Sequence, residues 1–280
     1  MTAITLPAAA TVPKPRFAAL LAAEWIKLWS LRSSYGVLGA GALASLTITV
    51  NSARSNVDLI SRSGNPEQRL AIDPMHSAFV PEAYQILMII ACSVGALMVF
   101  GEYASGLIRT TLAAVPDRRA VIAAKAVVAT VVTLVFGALV AASSFGLTQA
   151  IYHRHHIGLS ISAPGALRAV AASALLAPVC ALVGMAFAAL IRHAAGTIVT
   201  AVVVLLLAPA LFQGETYRWV KEICNAMPLT AWDKLVDNPA RPARYPGKYP
   251  ETVTEAWIVL AAWALTSAIV AVTVVHRRDP

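Results

Sequence analysis

Six stretches free of Asp, Glu, Lys and Arg run along the chain at 33–53, 83–101, 126–152, 169–191, 193–214 and 256–275, with charged connectors between them. They are 21, 19, 27, 23, 22 and 20 residues long. A helix rising about 1.5 Å per residue needs about 20 residues to cross about 30 Å of hydrocarbon. Inside lipid, only helices and closed barrels satisfy every backbone N–H and C=O. A barrel would show short segments of alternating polarity in place of these continuous Ala, Val, Leu and Ile runs. Buried helices of a large soluble core would show amphipathic periodicity and shorter apolar runs. The pattern therefore predicts an all-α, polytopic membrane protein with six transmembrane helices.

Composition agrees. The chain is 58% hydrophobic and 13% charged, where soluble domains carry about 25% charged residues. Most of the 280 residues are spans or short connectors, so one integral domain over 16–280 is expected. Residues 1–15 read as a disordered tail: the first 13 have no charge and no basic n-region, and Pro7 and Pro13 interrupt them. The net charge of +8 sits in connectors beside the spans, where anionic headgroups are the nearer partner, so the bilayer and not nucleic acid is expected to meet it. Of the three cysteines, Cys92 and Cys180 fall in spans and Cys224 in a connector, which outlines no disulfide framework.

Charge also bears on orientation. With both termini inside, 11 of the 22 basic residues face the cytoplasm, which is a tie by count. Placement breaks it: Arg118, Arg119 and Lys125 crowd the second connector, Arg277 and Arg278 follow the last span directly, and ten of the 14 acids fall on the other side. Both termini are expected in the cytoplasm and the chain in the plasma membrane.

Two polar segments stand out. If 16–34 is helical, Arg16, Lys27, Ser30 and Ser34 share one arc at about 100° per residue, while Phe17, Leu21, Trp25, Ile26, Leu28 and Trp29 fill the other, with Glu24 and Arg32 at the margins. Such a helix would lie in the interface with its tryptophans at headgroup depth. A plain extension of the first span, with Trp25 and Trp29 as belt residues, fits the same pattern. The second connector, GEYASGLIRTTLAAVPDRRAVIAAK over 101–125, admits a short helix over 102–112 before Pro116 forces a break. A rigid charged helix there is a part a soluble subunit could push against; a solvated loop made basic by topology also fits.

Together, EWIKLWSLRSSY at 24–35 and GEYASGLIRTTLAAVPDRR at 101–119 resemble the membrane subunit of the ABC-2 class of ABC transporters, especially actinobacterial permeases. The resemblance covers about the whole topology. It implies an N-terminal interfacial elbow helix, carrying Glu24, Trp25, Lys27, Trp29 and Arg32. It further implies a cytoplasmic coupling helix that docks on an ATPase, with Glu102, Tyr103, Ser105, Gly106, Arg109, Thr110, Thr111 and Pro116 in the coupling region. The turn at 192–196 would be a second, smaller cytoplasmic contact. External helices are implied between the last two spans. Residues 216–227 suit one before Pro228, MPLTAWDKL at 227–235 resembles the family's external segment, and 238–250, with four prolines, reads as an extended loop. The implied partners are two copies of an ABC ATPase subunit, a second permease chain and the lipid bilayer. This chain itself would bind no cofactor, with ATP and Mg on the partner ATPase.

Missing motifs narrow the function. No Walker A pattern occurs, so the chain cannot cradle ATP phosphates by that route. The six windows lack the charged midplane group that ion-coupled carriers use. Neither a His-Glu-x-x-His pattern nor a Gly-x-Ser-x-Gly elbow is present, and Ser143 and Ser144 read as helix-packing or backbone-bonding hydroxyls, so no catalytic residue is expected. His153, His155 and His156 suit zinc or copper by type, but they diverge around a helix end with no carboxylate or thiolate within five residues, and a polar interface loop explains them more cheaply. Pro178 and Pro209 would kink their spans. The chain also does not show the Glu-Ala-Ala coupling signature typical of binding-protein-dependent importers. The expected function is the permease of an ATP-driven exporter of a hydrophobic or amphiphilic cargo, such as a drug, peptide or lipid. The alternative is a non-transporting anchor or signalling partner of an ATPase.

Overall fold

The computed structural model describes residues 16–30, 32–63, 72–104, 118–214, 216–241 and 247–277. Among them there is no strand. Helix α1 (Phe17–Ser30) precedes α2 (Arg32–Ser63), α3 (Pro81–Ala104), α4 (Arg118–His153), α5 (Ala166–Ile191) and α6 (Ala194–Leu211). Two short helices, α7 (Arg218–Asn225) and α8 (Pro228–Val236), then lead to α9 (Val253–Arg277). Six of these, α2 to α6 and α9, are long and apolar enough to cross a membrane. The expected tail over 1–15 lies outside the described residues.

Helix α5 is the axis of the bundle. It packs against α3, α4 and α9, and it is the most buried of the six, because its face is built from alanine and glycine. Small residues let helices approach backbone to backbone, which in lipid replaces the hydrophobic drive between helices. Gly95 of α3 lies against the Ala181 carbonyl, and Gly184 of α5 lies against the Cys92 carbonyl, so a Cβ at either position would strike backbone. Gly137 of α4 abuts the carbonyl of Ala174. That carbonyl is the one Pro178, four residues on within α5, cannot satisfy, since proline has no N–H. The missing bond and the missing side chain meet at one point.

The spans are longer than their charge-free cores. Helix α2 has 32 residues, about 48 Å at about 1.5 Å per residue, and continues through Arg54, Asp58 and Arg62, where the apolar window has ended. Charge ends a lipid-buried stretch but does not end a helix. Helix α6 departs from the regular form at Val203–Leu207, a π-helical turn just before Pro209. Widening the turn there accommodates a proline that cannot bond back to Leu205. Helix α5 stops at Arg192 in the left-handed conformation, its N–H donating to the Ala188 carbonyl. His193 then caps α6 by accepting the Gly196 N–H on Nδ1 at 3.1 Å, so the turn expected at 192–196 is a two-residue reversal.

Between α6 and α9 two short helices are present. Helix α7 is shorter than the expected 216–227, and α8 begins at Pro228, which suits the first helical turn because its missing N–H would be unbonded there anyway. No helix forms over 238–241 or 247–250, and 242–246 lies outside the described residues. Helix α8 is no loose surface element: Trp232 is fully buried in the bundle, stacked on Tyr84 with ring centroids 4.6 Å apart. Its indole N–H donates to Ser173 Oγ at 2.9 Å.

Candidate functional site

Six crossings put residues 17–34, the end of α3, the start of α4, the α5–α6 turn and the end of α9 at one end of the bundle. Helix α1 is docked there against α4. Its inward face is Leu21, Glu24 and Leu28, at helical spacings of three and four. Phe17, Trp25 and Ile26 are left exposed, as suits a helix whose other side meets lipid at headgroup depth. Trp25 and Trp29 contact edge to face at 5.7 Å, and Trp29 lies against Tyr35 at 4.9 Å. The Tyr35 hydroxyl donates to the Trp29 carbonyl at 2.9 Å, a side-chain bond from α2 to α1. Arg32, placed with the elbow helix by the resemblance, lies in the first turn of α2 and is exposed.

The sequence places Glu24 at the margin of the polar arc; the structure buries it. Only 4% of the residue is exposed. Its Oε2 meets Lys125 Nζ at 2.6 Å, and its Oε1 meets Lys27 Nζ at 2.9 Å. The Lys125 side chain is 2% exposed and that of Lys27 is 43% exposed, so the carboxylate joins one inner and one outer ammonium. A buried carboxylate is tolerated only when it is paired and hydrogen-bonded, and here two cations of opposite accessibility share that task. The bond ties α1 to α4 seven residues after α4 begins at Arg118.

Lys125 was legible only as one of several connector cations. Its pairing with a residue 101 positions away leaves no local pattern. The signal that does exist is Glu24 itself, an acid in register with Leu21 and Leu28 on the face that packs inward.

The coupling residues are less defined. Glu102 and Tyr103 belong to the last turn of α3, while Ser105, Gly106, Arg109, Thr110, Thr111 and Pro116 lie outside the described residues. His153 closes α4, and His155 and His156 follow it in an exposed turn at the opposite end, with His156 in the left-handed conformation. Among the described residues, no group of three or more His, Cys, Asp or Glu is placed to hold a metal ion.

The opposite end is held differently. Gln149 Nε2 donates to the Pro74 carbonyl at 2.8 Å, and its Oε1 accepts the Leu159 N–H at 2.7 Å. Arg168 donates to the carbonyls of Leu235 and Asp237, where α8 ends. Asn238 donates to Asp73 at 3.0 Å, and the Trp263 indole donates to the Ala226 carbonyl at 2.8 Å. Beside this lacing, burial and the neighbouring Glu255 push the Glu251 carboxyl up to about 7, against the opposing pull of Lys234 and Lys221.

Compared with known proteins, the chain matches no family model and no curated sequence.

Proposed function

We propose that this chain is the membrane-spanning permease subunit of an ATP-driven exporter, working with a separate ATPase in two copies and a second permease chain. The observation that carries the reading is the buried Glu24–Lys125 bond, which fastens an interfacial helix to the start of a span directly after the connector with the ABC-2-like motif. A force applied to that connector reaches α4 first and, through this bond, α1. The elbow helix and the third span then move as one body.

In this reading the termini-bearing end faces the cytoplasm of the plasma membrane, and Glu102, Arg109 and their neighbours meet the ATPase, which binds ATP and Mg. Cargo is hydrophobic or amphiphilic, because the charge-free windows are apolar and lightly decorated with neutral polar residues such as Ser93, Thr130, Thr133, Ser143, Ser144, Gln149, Thr197 and Thr200. The test is purification of the chain from its native membrane in mild detergent. A Walker A-bearing ATPase should co-purify stoichiometrically. Its reproducible absence from intact, folded chain would instead support a membrane anchor or signalling role.

A further inference from the structure

Several hydroxyls in these helices turn back on their own backbone. Thr49, Ser93, Thr133, Thr266 and Thr273 each donate to the carbonyl four residues earlier, at 2.6 to 3.0 Å. This is the usual resort of Ser and Thr within a helix. Ser144 and Thr148, one turn apart on the same face of α4, do not take it. Both are fully buried, and neither hydroxyl has a protein partner among the described residues.

The Tyr84 hydroxyl is in the same condition. The Ser144 and Ser173 hydroxyls are its polar neighbours, outside close hydrogen-bonding geometry. Its ring cannot easily swing away, because it is held between Trp232 and Phe79, at 4.6 and 5.9 Å. Ser173 already accepts the Trp232 indole N–H. Three buried hydroxyls from two helices, those of Tyr84, Ser144 and Thr148, thus lack a close protein partner among the described residues. A buried group without a partner is costly, and interior water that bridges about three such groups is the common remedy.

We propose that Tyr84, Ser144 and Thr148 bind one ordered water molecule in the interior of the bundle, beneath the Trp232 indole. The water accepts or donates at each hydroxyl and leaves every backbone bond of α4 in place. It also stands within reach of the Ser173 side, so the bond that anchors α8 into the bundle has a polar substitute at hand if the indole withdraws. The site does not depend on the transporter reading.

The sign of a stability change tests it. Tyr84→Phe, Ser144→Ala and Thr148→Val each remove one hydroxyl with little change of shape. If the hydroxyls hold water, each variant strands the other two, and the midpoint of thermal unfolding in detergent falls by about 2–4 °C. Ser93→Ala, whose hydroxyl bonds only its own helix, is the reference and shifts less. A midpoint raised or unchanged by all three variants overturns the proposal, since it would mean that the hydroxyls are simply unmet. Electron cryomicroscopy of the whole chain gives the second readout. A single solvent peak within hydrogen-bonding distance of the three oxygens is expected. Extended density of an organic guest, or hydroxyls turned back to their own helix with no peak, overturns it.

Discussion

The two ends of the bundle are fastened by opposite means. At the termini-bearing end, one carboxylate between two ammoniums ties α1 to α4. At the far end, Gln149, Arg168, Asn238, Trp232 and Trp263 stitch loops and short helices to the spans, mostly through bonds to backbone carbonyls or neutral side chains. A net of many modest bonds loses little when one is cut and resists motion everywhere. A buried ion pair such as Glu24–Lys125 concentrates attachment where losing a partner is severe. The first arrangement suits a cap that holds its shape, and the second a joint that must carry force between two elements.

Removing Lys125 should therefore have the largest effect. Lys125→Met leaves Glu24 buried with only the half-exposed Lys27, and losing one partner of a buried pair costs about 3–5 kcal/mol. Chemical unfolding of the purified chain, followed by helical circular dichroism, measures it, and the double variant with Glu24→Met should recover a large part of the loss. Equal losses in the single and double variants would show that the pair is not the fastening. Gln149→Ala at the far end should cost less, about 1–3 kcal/mol for the stranded Leu159 N–H and Pro74 carbonyl, measured the same way.

A pH titration sharpens the contrast. The folded Glu251 carboxyl titrates near 7, above its ordinary 4.5. The folded state thus binds the proton more tightly than the unfolded one, and its contribution to stability falls as pH rises from about 4.5 to about 7. Unfolding midpoints across that window should decline, and Glu251→Gln should flatten this part of the profile. The smallest effect belongs to Lys27→Ala: a pair with one partly exposed member contributes about 0–1 kcal/mol, so its midpoint should stay close to that of the unaltered chain.

These contrasts also show where the sequence is readable. The six spans follow from charge-free length alone, because lipid imposes a rule that each window satisfies by itself. The two short helices between α6 and α9 were signposted by Pro228 and its flanking residues. Helix ends were not, since α2 runs on through Arg54 and Asp58 once it has left the apolar window. Least legible were pairings between distant positions. Glu24 with Lys125, Trp232 with Ser173, and Gly137 against the carbonyl freed by Pro178 each depend on how helices come together. A residue's own neighbours in sequence carry no trace of that. The exception is an acid on an apolar face, which announces a buried partner without naming it.

Under the proposed permease reading, the most direct test of the Glu24–Lys125 bond is ATP turnover and cargo export by the chain reconstituted with the ATPase that this reading expects to co-purify, compared among Glu24→Lys, Lys125→Glu and the double exchange. Each single change should leave ATP hydrolysis running while export fails, and the double exchange should restore export. Full export in both single variants would contradict a role for this bond in coupling.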